Sequence, residues 1–387
     1  MKPHPKTISG SLLVLFLLFP VFLGAQSSNA QSPIYNEDGS VTFVLKKTDS
    51  RRVKLYCDCA LRERKFNVKR ENLHSVRMTR SQNGLFTYTT PPLVPEVYTY
   101  QFKSHRQRLI DPSNADSIRI SDGKRSVFVI PGSYITNLCL TDSLCGKTEL
   151  CAFVDTVSGK TRSVLLYLPP QYDESEQTYP VLYLLHGIDG NEQAWHDRGR
   201  AIQLADNLIR QGKAEPMIIV MPDANPKELI GQDEHVSLMK NLLHYRSWFH
   251  YDFERAFPDM DKFISTHYRI SPDMKMRAVC GLSAGSTQSV TLAKMYENEF
   301  KYVGLFSPIV HRKQVPNSKN SIYWIGSGKT DIFHIQSKKF VKRIHQRQIP
   351  YIYYETQGGH TWRNWRVYLS EFLQFIFKNN EEITTQY

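Results

Sequence analysis

Beyond Thr148 the chain repeats one pattern of organisation, a short apolar run of strand length followed by a longer stretch with helical spacing. The runs are SVLLYLPP, YPVLYLLHG, PMIIVMPDA, MRAVCGLS, YVGLFSP, SIYWIGSG and PYIYYE. Helices are expected between them, over 201–211, 253–267, 285–296, 334–348 and 362–377. Runs that are apolar at nearly every position suit strands buried on both faces. Their alternation with helices predicts a mostly parallel sheet covered on both sides.

The stretch before this reads differently. From Ile34 to about Ile130, GSVTFVLK, RRVKLYCDC, GLFTYTT, VYTYQFK and SVFVI are short, alternating and separated by turn residues, which predicts a small all-β antiparallel sandwich over 34–130. Pro131-Gly132 and a cysteine cluster interrupt both patterns, so 131–150 is expected to link the sandwich to an α/β domain over 151–380.

Residues 1–30 stand apart. Lys2 and Lys6 precede the apolar run from Leu12 to Leu23, and small residues follow at Gly24, Ala25, Ser28 and Ala30. This is the pattern of a secretory signal peptide, with cleavage expected after Ala25 or Ala30. The apolar run is too short to span a bilayer. A soluble exported protein, periplasmic or extracellular, is therefore expected, without stable membrane insertion.

The net charge of +12 is spread along the chain without a dense basic block, and no nucleic-acid motif is present, which excludes nucleic acid as the expected partner. Six cysteines in an oxidising compartment permit disulfides. Cys57 and Cys59 fall on one face of an expected strand with Val53 and Leu55, so they are read as buried thiols, whereas a bridge within the cluster Cys139, Cys145 and Cys151 is plausible. Neither the C-x-x-C nor the paired-histidine spacing of a zinc site occurs, and no metal or other cofactor is expected.

The run CGLSAGS, Cys280 to Ser286, contains G-x-S-x-G. An apolar strand from Met276 to Cys280 leads into it and a helical pattern leaves it, the strand-turn-helix context of a nucleophile elbow. Gly281 and Gly285 provide the clearance that so sharp a turn requires. A serine at its ordinary pKa is a weak nucleophile, so a base and an orienting acid must complete the site. In this fold they follow in the order acid, then histidine, on loops at strand ends. SIYWIGSG ends in Lys329-Thr330-Asp331 and PYIYYE ends in Thr356-Gln357-Gly358-Gly359-His360. Of the histidines after Ser283, namely His311, His334, His345 and His360, only His360 follows two glycines at a strand end. Glu355 is the rival acid to Asp331, whose alternative role is to cap the helix that follows it.

Oxyanion donors are expected at the backbone N–H of Ala284 and at the loop after YLLHG, where Ile188 is the first candidate and Gly187 the second. His186 is expected to hold that loop and not to act as a second base. The segment Asn225 to Tyr251 carries Asp233, His235, His244 and His250 at no metal-ligand spacing, and is expected to line a pocket for the acyl group or sugar.

These stretches resemble the esterase D-like branch of the α/β-hydrolases, the group of bacterial feruloyl and acetyl-xylan esterases in carbohydrate esterase family 1. YLPPQYD, YPVLYLLHGIDGNEQAW, MIIVMPDA, RAVCGLSAGS, YVGLFSP, GSGKTD and GGHTWRNWRVYL carry the resemblance over nearly all of Val164 to Phe377. In the front part DGSVTFVLK, MTRSQNGLFTYTTPPLVPEVYTYQF and DPSN look like an immunoglobulin-like E-set domain akin to carbohydrate-binding module 48. The resemblance implies an α/β-hydrolase domain preceded by an immunoglobulin-like sandwich, and a secreted serine esterase acting on acylated plant cell-wall polysaccharide or oligosaccharide. The family commonly shows GLSMGG, where this chain has Ala284 and Ser286. Phe86 stands where tryptophan is frequent, so the front domain is expected to pack and not to bind sugar. The competing readings are a siderophore trilactone esterase of the enterobactin type and a noncatalytic glycan-binding protein with a decayed hydrolase domain.

Overall fold

The structure, a computed structural model, describes residues 31–60, 74–105, 107–120, 123–132, 145–188, 190–231 and 252–378. The expected signal segment, Cys139, and the stretch with Asp233, His235, His244 and His250 lie outside the described residues. No helix among the described residues is long and apolar enough to cross a membrane.

The front part is built from β1 (Ile34–Tyr35), β2 (Val41–Lys46), β3 (Val53–Cys57), β4 (His74–Arg77), β5 (Thr79–Arg80), β6 (Leu85–Thr89), β7 (Glu96–Ser104), β8 (Gln107–Leu109), β9 (Ser117–Ile120) and β10 (Gly123–Ile130). They form two sheets, ordered β1-β2-β6-β5 and β4-β3-β7-β10-β9, with β8 added to β7. Alternation along each strand sends Val41, Phe43 and Leu45 of β2, and Val53, Leu55 and Cys57 of β3, into one shared core with Tyr100, Phe102 and Phe128. Phe43 is its centre, 4.6 Å from the Tyr100 ring and 5.3 Å from that of Phe128. This is a β sandwich.

The cysteines differ from expectation. Cys57 and Cys59 are joined as a disulfide. The strand alternation that would keep Cys59 a separate buried thiol ends at Cys57, where a 3-10 turn over Asp58–Ala60 brings Cys59 back to within 5.2 Å, Cα to Cα. Cys145 and Cys151 form no disulfide among the described residues.

The second part opens on β11 (Lys147–Asp155), which starts inside the segment expected to be linker. It is an edge strand whose residues before Phe153 are exposed or half-buried, so it lacks the apolar run that marks the others. There follow β12 (Lys160–Leu168), β13 (Val181–Leu185), α1 (Ala194–Asp197), α2 (Ala201–Arg210), β14 (Ile218–Pro222), α3 (Asp252–His267), β15 (Arg277–Leu282), α4 (Ala284–Met295), β16 (Tyr302–Phe306), β17 (Ile322–Gly328), α5 (His334–Gln346), β18 (Tyr351–Thr356) and α6 (Trp362–Phe375). Helices α5 and α6 stop short of their expected ends, because Gln348 and Phe377 take left-handed backbone with φ of 56° and 64°.

The eight strands lie in the order β11-β12-β14-β13-β15-β16-β17-β18, parallel from β14 to β18. On β13, Leu182 and Leu184 face the helices α1, α2 and α6, while Val181, Tyr183 and Leu185 face α3, α4 and α5. The strand needs apolar residues throughout because each face has its own core. With the sheet's helices on both sides, this is the α/β-hydrolase arrangement.

The sandwich packs directly on this domain. Val97, Ile118 and Val127 join the core formed by α1, α2 and α6. Arg200 makes a two-pronged pair with Asp116 at 2.9 Å on both prongs. Glu96 lies between Arg366 at 2.7 Å and Arg363 at 2.6 Å.

One buried acid stands out in the first turn of α3. Glu254 is 1% exposed, its Oε1 has no hydrogen-bond partner among the described residues, and burial pushes its carboxyl up to about 8. A carboxyl raised from its ordinary 4.5 weakens the folded state progressively as pH climbs from that value toward 8. Replacing it by the neutral isostere, Glu254→Gln, is expected to raise the thermal midpoint by several °C more at pH 8 than at pH 5. The difference corresponds to at most roughly 4 kcal/mol. Melting curves at the two pH values check this, and equal shifts at both would sink it.

Candidate active site

The carboxyl ends of β15, β17 and β18 meet at one edge of the sheet, where ligands bind in open α/β folds. Ser283 follows β15 directly, at φ 51° and ψ −114°, a conformation that costs a non-glycine residue about 1–3 kcal/mol. Two close approaches hold it there. A Cβ on Gly281 would come 2.6 Å from the carbonyl carbon of Gly285, and one on Gly285 would overlap the carbonyl oxygen of His186. Both glycines of G-x-S-x-G are thus required by backbone packing.

His360 lies between the other two predicted residues. Its Nε2 is 2.9 Å from Ser283 Oγ, and its Nδ1 is 3.2 Å from each carboxylate oxygen of Asp331. The two loops that carry them are knitted together. The Thr330 N–H donates to Gly358 O at 3.0 Å, Asn364 Nδ2 donates to Gly359 O at 2.9 Å, and Gly328 is so close to Gly358 that a Cβ would overlap its carbonyl.

Asp331 is fully sealed, while His360 keeps 11% of its side chain exposed. Burial alone would raise the Asp331 carboxyl, but hydrogen bonds from His360, its charge, the Ser307 hydroxyl and the Phe333 N–H outweigh that and hold it below its ordinary 3.8. An ionised Asp331 accepts from Nδ1–H, which leaves the Nε2 lone pair for the serine proton. The rival Glu355 is engaged elsewhere, 3.5 Å from His334 and 3.9 Å from Lys329.

Three contacts at this site have no counterpart in the sequence reading. Trp365 sets its ring edge-on to His360 at 4.9 Å and donates its indole N–H to Ser307 Oγ at 3.0 Å. Phe333 closes on His360 from another side at 5.1 Å. Ser307 follows β16 in left-handed backbone, φ 55°, and is fully buried. Its position just past a strand end was the available signal.

The candidate oxyanion donors flank the serine. Ala284 opens α4, so its N–H has no acceptor within the helix. Across from it, a Cβ on Gly187 would lie 3.3 Å from Ser283 Cβ, which sets the Gly187-Ile188 loop against Ser283. His186 is buried. It accepts the Ala224 N–H at Nε2, 3.0 Å, and its Nδ1 lies 2.7 Å from Gly187 O. Burial lowers its pKa despite the nearby Asp223. Ser286, where the resembled pattern has glycine, turns its hydroxyl onto Ser283 O at 2.6 Å. The extra group is therefore satisfied inside the elbow and does not enter the pocket.

Residues 156–332, the stretch that holds this elbow, match the family model described as "Putative esterase". An endo-1,4-β-xylanase/feruloyl esterase of Xylanibacter ruminicola is 24% identical over 357 residues, 89% of this chain and 46% of the relative, so the chain spans about half the length of that protein. The CE1 ferulic acid esterase of Anaeromyces mucronatus, solved with ferulic acid, is similar over 64% of this chain and 98% of its own, at 20% identity and TM-score 0.53. The enterobactin esterase of Shigella flexneri is similar over 87% of this chain and 92% of its own, at 15% identity and TM-score 0.59. At these identities the two structures show a shared fold.

Proposed function

We propose that the protein is an exported serine esterase that removes feruloyl or acetyl groups from plant cell-wall polysaccharide. The observation that carries this reading is His360 bridging Ser283 and Asp331 at the end of a strained elbow. Ser283 Oγ attacks the ester carbonyl as its proton passes to His360 Nε2. Asp331 orients the imidazole and stabilises its charged form. The negative oxygen of the tetrahedral intermediate is met by the N–H groups of Ala284 and Ile188, with Gly187 as the alternative in the same loop. His360 then gives the proton to the departing sugar oxygen as the carbonyl carbon–oxygen bond breaks, leaving an acyl-serine. Water, deprotonated by the same histidine, attacks that acyl-serine, and His360 returns the proton to Ser283 Oγ as the free acid leaves.

The polysaccharide substrate is supported by the names of the relatives, feruloyl esterases and a xylanase/feruloyl esterase among them. The sandwich, read as an E-set domain, serves to brace the hydrolase domain, in keeping with Val97, Ile118 and Val127 being spent on its core. The alternative, a trilactone siderophore esterase, is favoured by the likeness to the enterobactin esterase, which extends over most of the chain. The net charge of +12 suits an anionic catecholate as well.

The purified protein assayed on feruloylated and acetylated xylan fragments and on a ferric catecholate trilactone separates these readings. Turnover of one of the xylan esters, with none of the trilactone, is the expected result. Hydrolysis confined to the trilactone transfers the assignment to siderophore release, and xylan retention without turnover of any ester means a decayed enzyme.

A further inference from the structure

The two candidate oxyanion donors sit on elements far apart in sequence, yet one short strap joins them. It is Asp223, Ala224 and Asn225, which follow β14 and are all buried. On one side, the Ala224 N–H donates to His186 Nε2 at 3.0 Å, and His186 Nδ1 bonds to Gly187 O at 2.7 Å. Because Nε2 accepts, Nδ1 carries the proton and the ring is neutral. In a trans peptide the C=O and the following N–H point in opposite directions. Drawing Gly187 O toward His186 therefore aims the Ile188 N–H the other way, off the face of the loop that His186 occupies.

On the other side, Gln288 Nε2 donates to Ala224 O at 2.8 Å. Gln288 lies one turn along α4 from Ala284, so the same residue of the strap is tied to the element that presents the other donor. The strap is itself clamped from behind. Arg162, with no exposed surface, donates Nη1 to Asp223 O at 2.9 Å and to Asn225 O at 2.6 Å, and Nε to Asp155 Oδ2 at 2.7 Å. Asn225 Nδ2 adds a bond to Gly190 O at 3.0 Å, beyond the oxyanion loop.

We propose that Gln288 and Arg162 are positioning residues for ester hydrolysis, which fix the spacing of the Ala284 and Ile188 N–H groups through the strap 223–225. Neither side chain touches Ser283 or His360 in the bonds it makes. Their effect falls on the transition state, because the oxyanion forms only there, and ground-state binding of the ester does not depend on them. The inference rests on Ser283 acting as the nucleophile of an esterase.

The test uses Gln288→Met and Gln288→Leu in the full chain, which keep the side chain's bulk, bury no new charge and remove the donor. A misaimed oxyanion donor is expected to lower kcat on an aryl ester by about 10- to 100-fold with KM within about twofold. Affinity for an aryl boronic acid, whose adduct on serine is tetrahedral, should fall in the same proportion, a readout that a merely structural role would not move. Parent-like kcat in a folded variant overturns the proposal, and so does a loss carried by KM or a loss of kcat without loss of boronate affinity. If one variant fails to fold, the other decides. A Ser283→Ala protein that still turns over ester would instead remove the reading underneath, a result distinct from any of these.

Discussion

Ser283→Ala is expected to lower kcat on a small aryl ester by about 10⁴- to 10⁶-fold while the thermal midpoint stays close to that of the parent. The size of the loss follows from the arrangement. His360 Nε2 has Ser283 Oγ at 2.9 Å as its partner, and Asp331 is committed to the other ring nitrogen. Without the hydroxyl there is no attacking atom, and what survives is the modest rate that oriented donors give to water. Stability should change little. The hydroxyl makes one bond at a partly open site, and the strained backbone at φ 51° is held by Gly281, Gly285 and the Ser283 N–H bond to Phe306 O, none of which the substitution alters. Steady-state kinetics with a melting curve on the same preparation check this. Activity within tenfold of the parent would end the assignment of Ser283 as nucleophile.

Glu96→Ala should be the costliest single change at the contact between sandwich and hydrolase domain, destabilising the protein by about 3–5 kcal/mol. Glu96 is buried and holds Arg366, whose side chain is 8% exposed, at 2.7 Å. Truncating the carboxylate strands that guanidinium in a site where water cannot replace the lost partner. Arg363 contributes less, because at 39% exposure it can turn to solvent. The cost should therefore be recovered largely in the double variant Glu96→Ala/Arg366→Met, which removes the stranded charge and keeps apolar bulk. Denaturant unfolding of the parent, both single variants and the double variant gives the coupling directly. A single-variant loss below about 1 kcal/mol, the range of exposed ion pairs, would show that the contact is not a buried lock. Activity should fall with Glu96→Ala too, since Arg366 shares the first turns of α6 with Trp365, which packs against His360.

Much of the candidate site was legible in the sequence because its signals are local. The elbow is five residues long and its glycines are required by contacts within a few ångströms of the turn. The double glycine before His360 marks a loop that must pass close to another backbone, and Gly358 does pack against Gly328. The strand and helix order was legible for a similar reason, since each strand had to be apolar on two faces. The strand β11 escaped because an edge strand with one wet face lacks that run.

Other features were decided by contacts that no local pattern encodes. Asp331 and Glu355 both stand at strand ends, and only the paths of the two loops turn one toward His360 and the other toward His334. The Cys57–Cys59 bond depends on a 3-10 turn that ends the alternation one residue early. Ser307, the strap at 223–225, and Gln288 take part through bonds to residues distant in the chain.

The sequence by itself determined the two kinds of layer, their order, and the placing of Ser283 and His360 on turns at strand ends, because backbone periodicity and steric clearance act over a few residues. The tertiary structure alone decided which acid lies against His360, how the Gly187-Ile188 loop is held, and that Glu96 meets Arg366 across 270 residues. Those depend on where packing two cores against one sheet leaves each buried polar group, and each such group must find its partner wherever the fold has brought one.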